Sequence, residues 1–287
     1  PPYFPKSSDM AHSSRLENLL RAGQQGFLRD GLKGLEKESL RLDPDGRIAQ
    51  TPHPAALGSA LTHEWITTDY SEALIELITP PAASAEETLG FLGDIHAYVH
   101  QHLEGEILLA TSMPIGLDGD DSIPIARYGR SNIGLMKQIY RRGLAHRYGR
   151  TMQSIAGVHF NYSINEALWP VLHDLEQPAA ELSAFVSEAY FGIIRNIHRH
   201  GWLLIYLFGN SPAICKSFFS GRENLATRFA ELDPETYYRP FATSLRMSDI
   251  GYRNDNQTSL DISCNALDDY IASMEAAIRQ PYPPYER

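Results

Sequence analysis

Apolar and polar positions along this chain follow two periods, and the changes of period mark its elements. Leu16, Leu19 and Leu20 share one side of a short helix predicted over 15–22. The stretch EKESLRL, Glu36 to Leu42, reads as a strand. The turn sequence Asp43-Pro44-Asp45-Gly46 then suggests a hairpin into Arg47-Ile48-Ala49. ALIELIT, Ala73 to Thr79, is a short apolar run ended by Pro80-Pro81 and predicts a buried strand. Ser84 with Glu87 three residues on is a capping box, after which Leu92, Ile95 and Val99 recur at helical spacing. A second helix is predicted over 131–148, with Ile133, Met136, Ile139, Tyr140 and Leu144 along one side. GVHFNYSI, Gly157 to Ile164, alternates as a strand does. It sets Val158, Phe160 and Tyr162 on one face as a hydrophobic layer, and His159, Asn161 and Ser163 on the other. A long helix is predicted over 181–200, running into apolar Trp202 to Phe208 and the turn Gly209-Asn210-Ser211-Pro212. A last helix is predicted over 265–279.

Hairpins mixed with long helices, without regular βαβ alternation, predict an α+β fold with a largely antiparallel sheet. No GxGxxG opens a helix and no Walker loop is present, so a nucleotide would be held by another arrangement. No repeat or linker divides the chain. Residues 1–14 read as a disordered leader and 15–287 as part of a single domain.

Composition narrows the class. With 287 residues, 43% of them hydrophobic, the chain can bury a sizeable core. A net charge of −10 argues against a nucleic-acid-binding surface, while local basic clusters leave phosphate ligands open. Cys215 and Cys264 lie far apart without metal-ligand spacing and read as reduced, buried thiols of a cytoplasmic chain. The longest apolar run, Trp202 to Phe208, is too short to cross a membrane, and no secretory signal is visible.

Candidate chemistry begins at Glu36 and Glu38. Two apart on a strand, they point to one face about 7 Å apart and repel each other unless something is bound between them. A solvated acidic face is the plain alternative. Glu76 lies mid-strand between Ile75 and Leu77, where a charge is costly unless paired or ligating, or unless the strand is an edge with Glu76 outward. Asp69 lies at the mouth of the same stretch. His159 brings an imidazole beside Asn161; a satisfied core histidine is its alternative. Together, four carboxylates and one histidine suit Mg²⁺ or Mn²⁺ better than zinc, and such sites commonly hold nucleotide phosphates. Lys137, Arg141, Arg142, His146, Arg147 and Arg150 form a basic set on and after the second helix. They are either a solvated face or partners for phosphates and carboxylates. Arg246 stands outside any charge run and is suited to gripping a carboxylate by two points, or to a structural ion pair.

The stretches GLEKESLRLDPDGRIA, HPAALGSALTHEWITTDYSEALIELITP, YGRSNIG, RYGRTMQSIAGVHFNYS, YLFGNSPAIC and FATSLRMSDIGY, in this order, closely resemble proteobacterial-type glutamate–cysteine ligases. The resemblance runs from about residue 25 to about residue 280. It implies a glutamine synthetase-like carboxylate–amine ligase fold, a curved antiparallel sheet with outer helices. It implies ATP-dependent joining of the glutamate γ-carboxylate to the cysteine amine through γ-glutamyl phosphate, the first step of glutathione synthesis. By resemblance, Glu36, Glu38, Asp69, Glu76 and His159 are the ligands of Mg²⁺, or of Mn²⁺, that meet the phosphates of the co-substrate ATP. Arg246 holds the substrate glutamate, with Gln153 and Asn161 near the amino acids. Tyr70, Tyr140, Leu144 and Tyr252 match the slot for the cysteine side chain, Tyr70 replacing a phenylalanine common in relatives.

The resemblance also implies a chain that is monomeric at full length, with small-molecule partners only. Family members continue well past residue 287, so the chain reads as an N-terminal portion, incomplete at its C-terminus. Two other readings stay open: a carboxylate–amine ligase using a different amine, and a truncated, non-catalytic paralogue that binds glutamate or metal.

Overall fold

The computed structural model describes residues 15–209, 212–221, 223–244 and 260–281. The predicted leader, Arg246 and Tyr252 lie outside them. In chain order the helices are α1 (15–21), α2 (Ala85–His100), α3 (Asn132–Tyr148), α4 (Leu168–Glu176), α5 (Leu182–His200), α6 (Trp202–Phe208), α7 (Glu223–Ala226) and α8 (Leu267–Arg279). The strands are β1 (Leu32–Leu42), β2 (Ile66–Thr68), β3 (Leu74–Ile78), β4 (Ile107–Leu108), β5 (Val158–Ser163), β6 (Ala213–Cys215), β7 (Ala230–Asp233) and β8 (Thr236–Tyr238). The class is α+β with antiparallel sheets, as the mixed periods predict. The described residues fall into two compact units, one of 15–32, 162–204 and 260–281, the other of 33–161 and 205–244.

The larger unit is built on a sheet in the order β2-β3-β1-β4, with β5 also paired to β1. β1 and β3 run antiparallel, matching Glu38 to Glu76 and Leu40 to Leu74. The expected hairpin after β1 is present: Asp43 N–H donates to the Arg47 carbonyl at 2.8 Å, and Gly46 takes the positive φ of +77° that the turn requires. Side chains alternate between the two faces of the sheet. One face carries Ile66, Ile75 and Leu77 against Leu92, Ile95 and Val99 of α2, whose first turn is capped by Ser84 accepting from Glu87 N–H. The other carries Leu40, Leu42 and Leu74 into a core completed by Tyr70, Ile123, Met152 and Phe218. Along that second face the leucines give way to Glu36, Glu38 and Glu76. A second, three-stranded sheet, β6-β8-β7, adds Ile214 and Tyr237 to the same core.

The smaller unit packs α4 and α5 around Leu168, Trp169, Leu172 and Phe185, with Leu19 of α1 in the cluster.

Two apolar faces depart from expectation. On α3, Ile133, Met136, Ile139 and Tyr140 are exposed, and only Gly134 is fully buried. That helix is anchored instead by Leu144 and Ala145 on the core and by Lys137 and Arg141 lying over the Tyr128 ring. Gly134 must be glycine, because a Cβ there would run into the Tyr128 carbonyl oxygen. On β5, Val158, Phe160 and Tyr162 do not form a buried layer but are exposed.

Candidate metal centre

Glu36 is fixed from β5. Its two carboxylate oxygens face His159 Nδ1 and Asn161 Nδ2, each at 3.0 Å. Both contacts follow from the period of the strand, since His159 and Asn161 are two apart and point the same way. Glu38 is held differently. Its backbone N–H donates to the Gly157 carbonyl at 2.9 Å, and its Oε2 accepts from Gly157 N–H at 2.7 Å. The residue is 6% exposed, which sets aside a solvated acidic face at this position.

Glu76 stands opposite Glu38 on β3, flanked on β2 by Thr67. Among the described residues no hydrogen bond reaches its carboxylate. Burial, then the charges of Asp69, Glu38 and Glu36, push its pKa up to about 7, with His159 pulling the other way. One atom each from Glu36, Glu76 and His159 lies within 4.8 Å of the others. Two hard carboxylates with one borderline imidazole suit Mg²⁺ or Mn²⁺, and a dication there would relieve the repulsion that burdens Glu76.

Of the five ligands expected, three therefore converge. Glu38 and Asp69 stand near enough to act on Glu76 by charge but outside the converging set. Asp69 is placed by its backbone: its carbonyl accepts from Arg141 Nε at 2.6 Å, and its N–H donates to the Leu74 carbonyl.

The expected substrate residues divide. Tyr70 is 1% exposed, and its hydroxyl has no hydrogen-bond partner among the described residues; burial pushes its pKa up to about 12. Gln153 Nε2 is likewise buried and unpartnered there. Orphaned buried polar atoms are rare, and two at expected substrate positions fit a site that takes a polar ligand. Leu144 packs on the cluster that contains Tyr70, whereas Tyr140 is 59% exposed. Asn161 is engaged with Glu36.

Sequence reasoning missed Gly157, whose two backbone groups orient Glu38; its only signal was its place at the head of β5. It also passed over Glu72, whose carboxylate accepts from the N–H groups of His53 at 3.0 Å and Arg127 at 2.7 Å. That residue clamps two loops rather than offering itself as a ligand.

Residues 16–287 match the family described as glutamate–cysteine ligase. The glutamate–cysteine ligase of Alcanivorax borkumensis is 51% identical over 274 residues, 95% of this chain and 51% of that protein. That of Hahella chejuensis is 53% identical over 275 residues, 96% of this chain and 52% of that protein. The chain thus spans about half the length of the curated relatives it matches. Among solved structures, the glutamate–cysteine ligase of Francisella tularensis in complex with AMP superposes with a TM-score of 0.80 at 36% identity. The match covers 89% of this chain and 49% of that one. A bifunctional glutathione synthetase from Pasteurella multocida gives 0.77 at 31% identity, over 93% of this chain and 33% of that one.

Proposed function

The chain belongs to the glutamate–cysteine ligase family, and from that premise we propose that it carries the metal-binding part of a site joining the glutamate γ-carboxylate to the cysteine amine at the expense of ATP. The observation that supports this most is the convergence of Glu36, Glu76 and His159. Phosphoryl transfer to a carboxylate needs neutralised charge and aligned atoms more than it needs a nucleophilic side chain. A divalent cation held by these three side chains would supply charge neutralisation where ATP phosphates and a substrate carboxylate approach each other.

The protein's own residues do the positioning. His159 and Asn161 fix the Glu36 carboxylate, and Gly157 fixes Glu38. The buried Tyr70 hydroxyl and Gln153 amide await polar partners, which the amino-acid substrates would provide. Glu38 and Asp69 complete the acidic surround, and Arg246 grips the glutamate. Tyr70, Leu144, Tyr140 and Tyr252 form the slot for the thiol side chain. The protein works as a monomer in the cytoplasm on small molecules alone.

The test is ADP release by the full product of the reading frame, with ATP, Mg²⁺, glutamate and cysteine. Release that requires both amino acids is expected. Release with glutamate and another amine, but not with cysteine, would redirect the proposal to a different carboxylate–amine ligase. No release from folded protein that still binds Mg²⁺ would favour a non-catalytic paralogue.

A further inference from the structure

A cavity of about 410 Å³ opens in the larger unit between the loop after the first hairpin, the 124–127 segment and α3. Three guanidinium side chains line it, from Arg127, Arg142 and Arg150, together with the amide of Gln138. Among the described residues, neither the Arg127 nor the Arg142 side chain has a hydrogen bond or ion pair. The Arg150 backbone N–H donates to the Asp120 carboxylate at 2.9 Å, while its side chain has only long contacts, to the Ile123 carbonyl at 3.4 Å and to the fully exposed Asp121 at 3.5 Å. Such an exposed pair contributes little. The one carboxylate in the lining, Glu72, already accepts two backbone N–H groups. In a chain of net charge −10, the cavity lining gathers three guanidiniums against one carboxylate that is already satisfied, with Asp121 and the backbone-bound Asp120 outside the lining beside Arg150.

We infer that this cavity binds a small oxyanion carrying two negative charges, a phosphate or a dicarboxylate, gripped by Arg127, Arg142 and Arg150. Guanidinium forks match the paired oxygens of both groups, and Gln138 adds a neutral donor one turn from Arg142 on α3. The site is separate from the candidate metal centre, sharing none of its residues. Tyr140 is two residues from both Gln138 and Arg142, and so lies on a different side of the helix. Yet it is not remote in effect, because the Arg150 charge acts on Tyr70. An anion held here would partly cancel that charge.

The experiment is calorimetric titration of protein freed of divalent metals by EDTA, so that phosphate cannot be held through a cation at the candidate metal centre. Inorganic phosphate and succinate are titrated separately, with chloride at matched ionic strength as reference. Saturable binding of phosphate, of succinate or of both is expected, each weakened about tenfold or more in the variant carrying Arg127→Gln with Arg142→Gln. The single variant Arg142→Gln should fall between, and Arg47→Gln, an exposed arginine outside the cavity, should bind as the unaltered protein does. Binding of phosphate alone assigns a phosphoryl ligand, and of succinate alone a dicarboxylate. Absence of saturable binding, competition by chloride at equal ionic strength, or equal losses in Arg47→Gln would overturn the inference. The readout is independent of ligase activity.

Discussion

Glu38 and Glu76 are direct register partners across the antiparallel pair β1 and β3, two carboxylates facing each other on one side of the sheet. Like charges in that relation destabilise a sheet unless something neutralises them. The protein answers only half of the conflict by itself, since Gly157 N–H donates to Glu38 while no described group donates to Glu76.

Glu76→Gln should therefore stabilise the metal-free protein at pH 8, by about 0.5–1 kcal/mol. The sign follows from its pKa, ordinarily 4.5 and raised in the fold to about 7. Below the lower value both folded and unfolded chains hold the proton and no penalty exists. As pH rises from about 4.5 to about 7 the unfolded chain ionises first, and stability is lost. Urea unfolding at a series of pH values should show the variant and the unaltered protein converging at pH 4 and diverging up to pH 7.

Asn161→Ala leaves Glu36 with His159 alone. Loss of a group that orients a ligand lowers metal affinity by about tenfold or more. Mn²⁺ titration should find weakened binding with little change in melting temperature in the absence of metal; a large loss of stability with unchanged affinity would make Asn161 structural.

Tyr70→Phe removes a buried hydroxyl that has no described partner. The ligand-free protein should gain about 1 kcal/mol, read from the urea midpoint. Its affinity for the amino acid that reaches this site should fall.

Arg41 is fully buried, donating to Glu106 at 2.5 Å and to the carbonyls of Thr51, Pro52 and Glu72. Arg41→Met would leave Glu106 without its cation and three carbonyls without a donor, costing about 3 kcal/mol or more. Chemical denaturation checks it, and a loss near zero would show that the network is dispensable.

The carboxylates of β1 were legible because strand period alone puts Glu36 and Glu38 on one face, and the apolar run around Glu76 marked a carboxylate set among aliphatics, which the fold half-buries. The motifs carried the family. What sequence could not supply was non-local. The pairing of Glu38 with Glu76 depends on register, and the placing of Glu38 depends on a backbone N–H of Gly157, which no side-chain pattern announces. The α3 periodicity misled for a related reason. A stripe of Ile133, Met136 and Ile139 shows that a helix has an apolar side but not which side meets its own core, and here Lys137 and Arg141 lie over the Tyr128 ring while that stripe is exposed. The arginines of the anion cavity were visible as a basic run, but Arg127 joins them only through the fold.

The most direct measurement of the metal centre is Mn²⁺ binding, followed by the resonance of the free ion, to the unaltered protein and to Glu36→Gln and Glu76→Gln, with folding checked by circular dichroism. Saturable binding that is lost in both folded variants is the result the geometry predicts. Binding as tight in the variants as in the unaltered protein would contradict a metal centre at Glu36, Glu76 and His159.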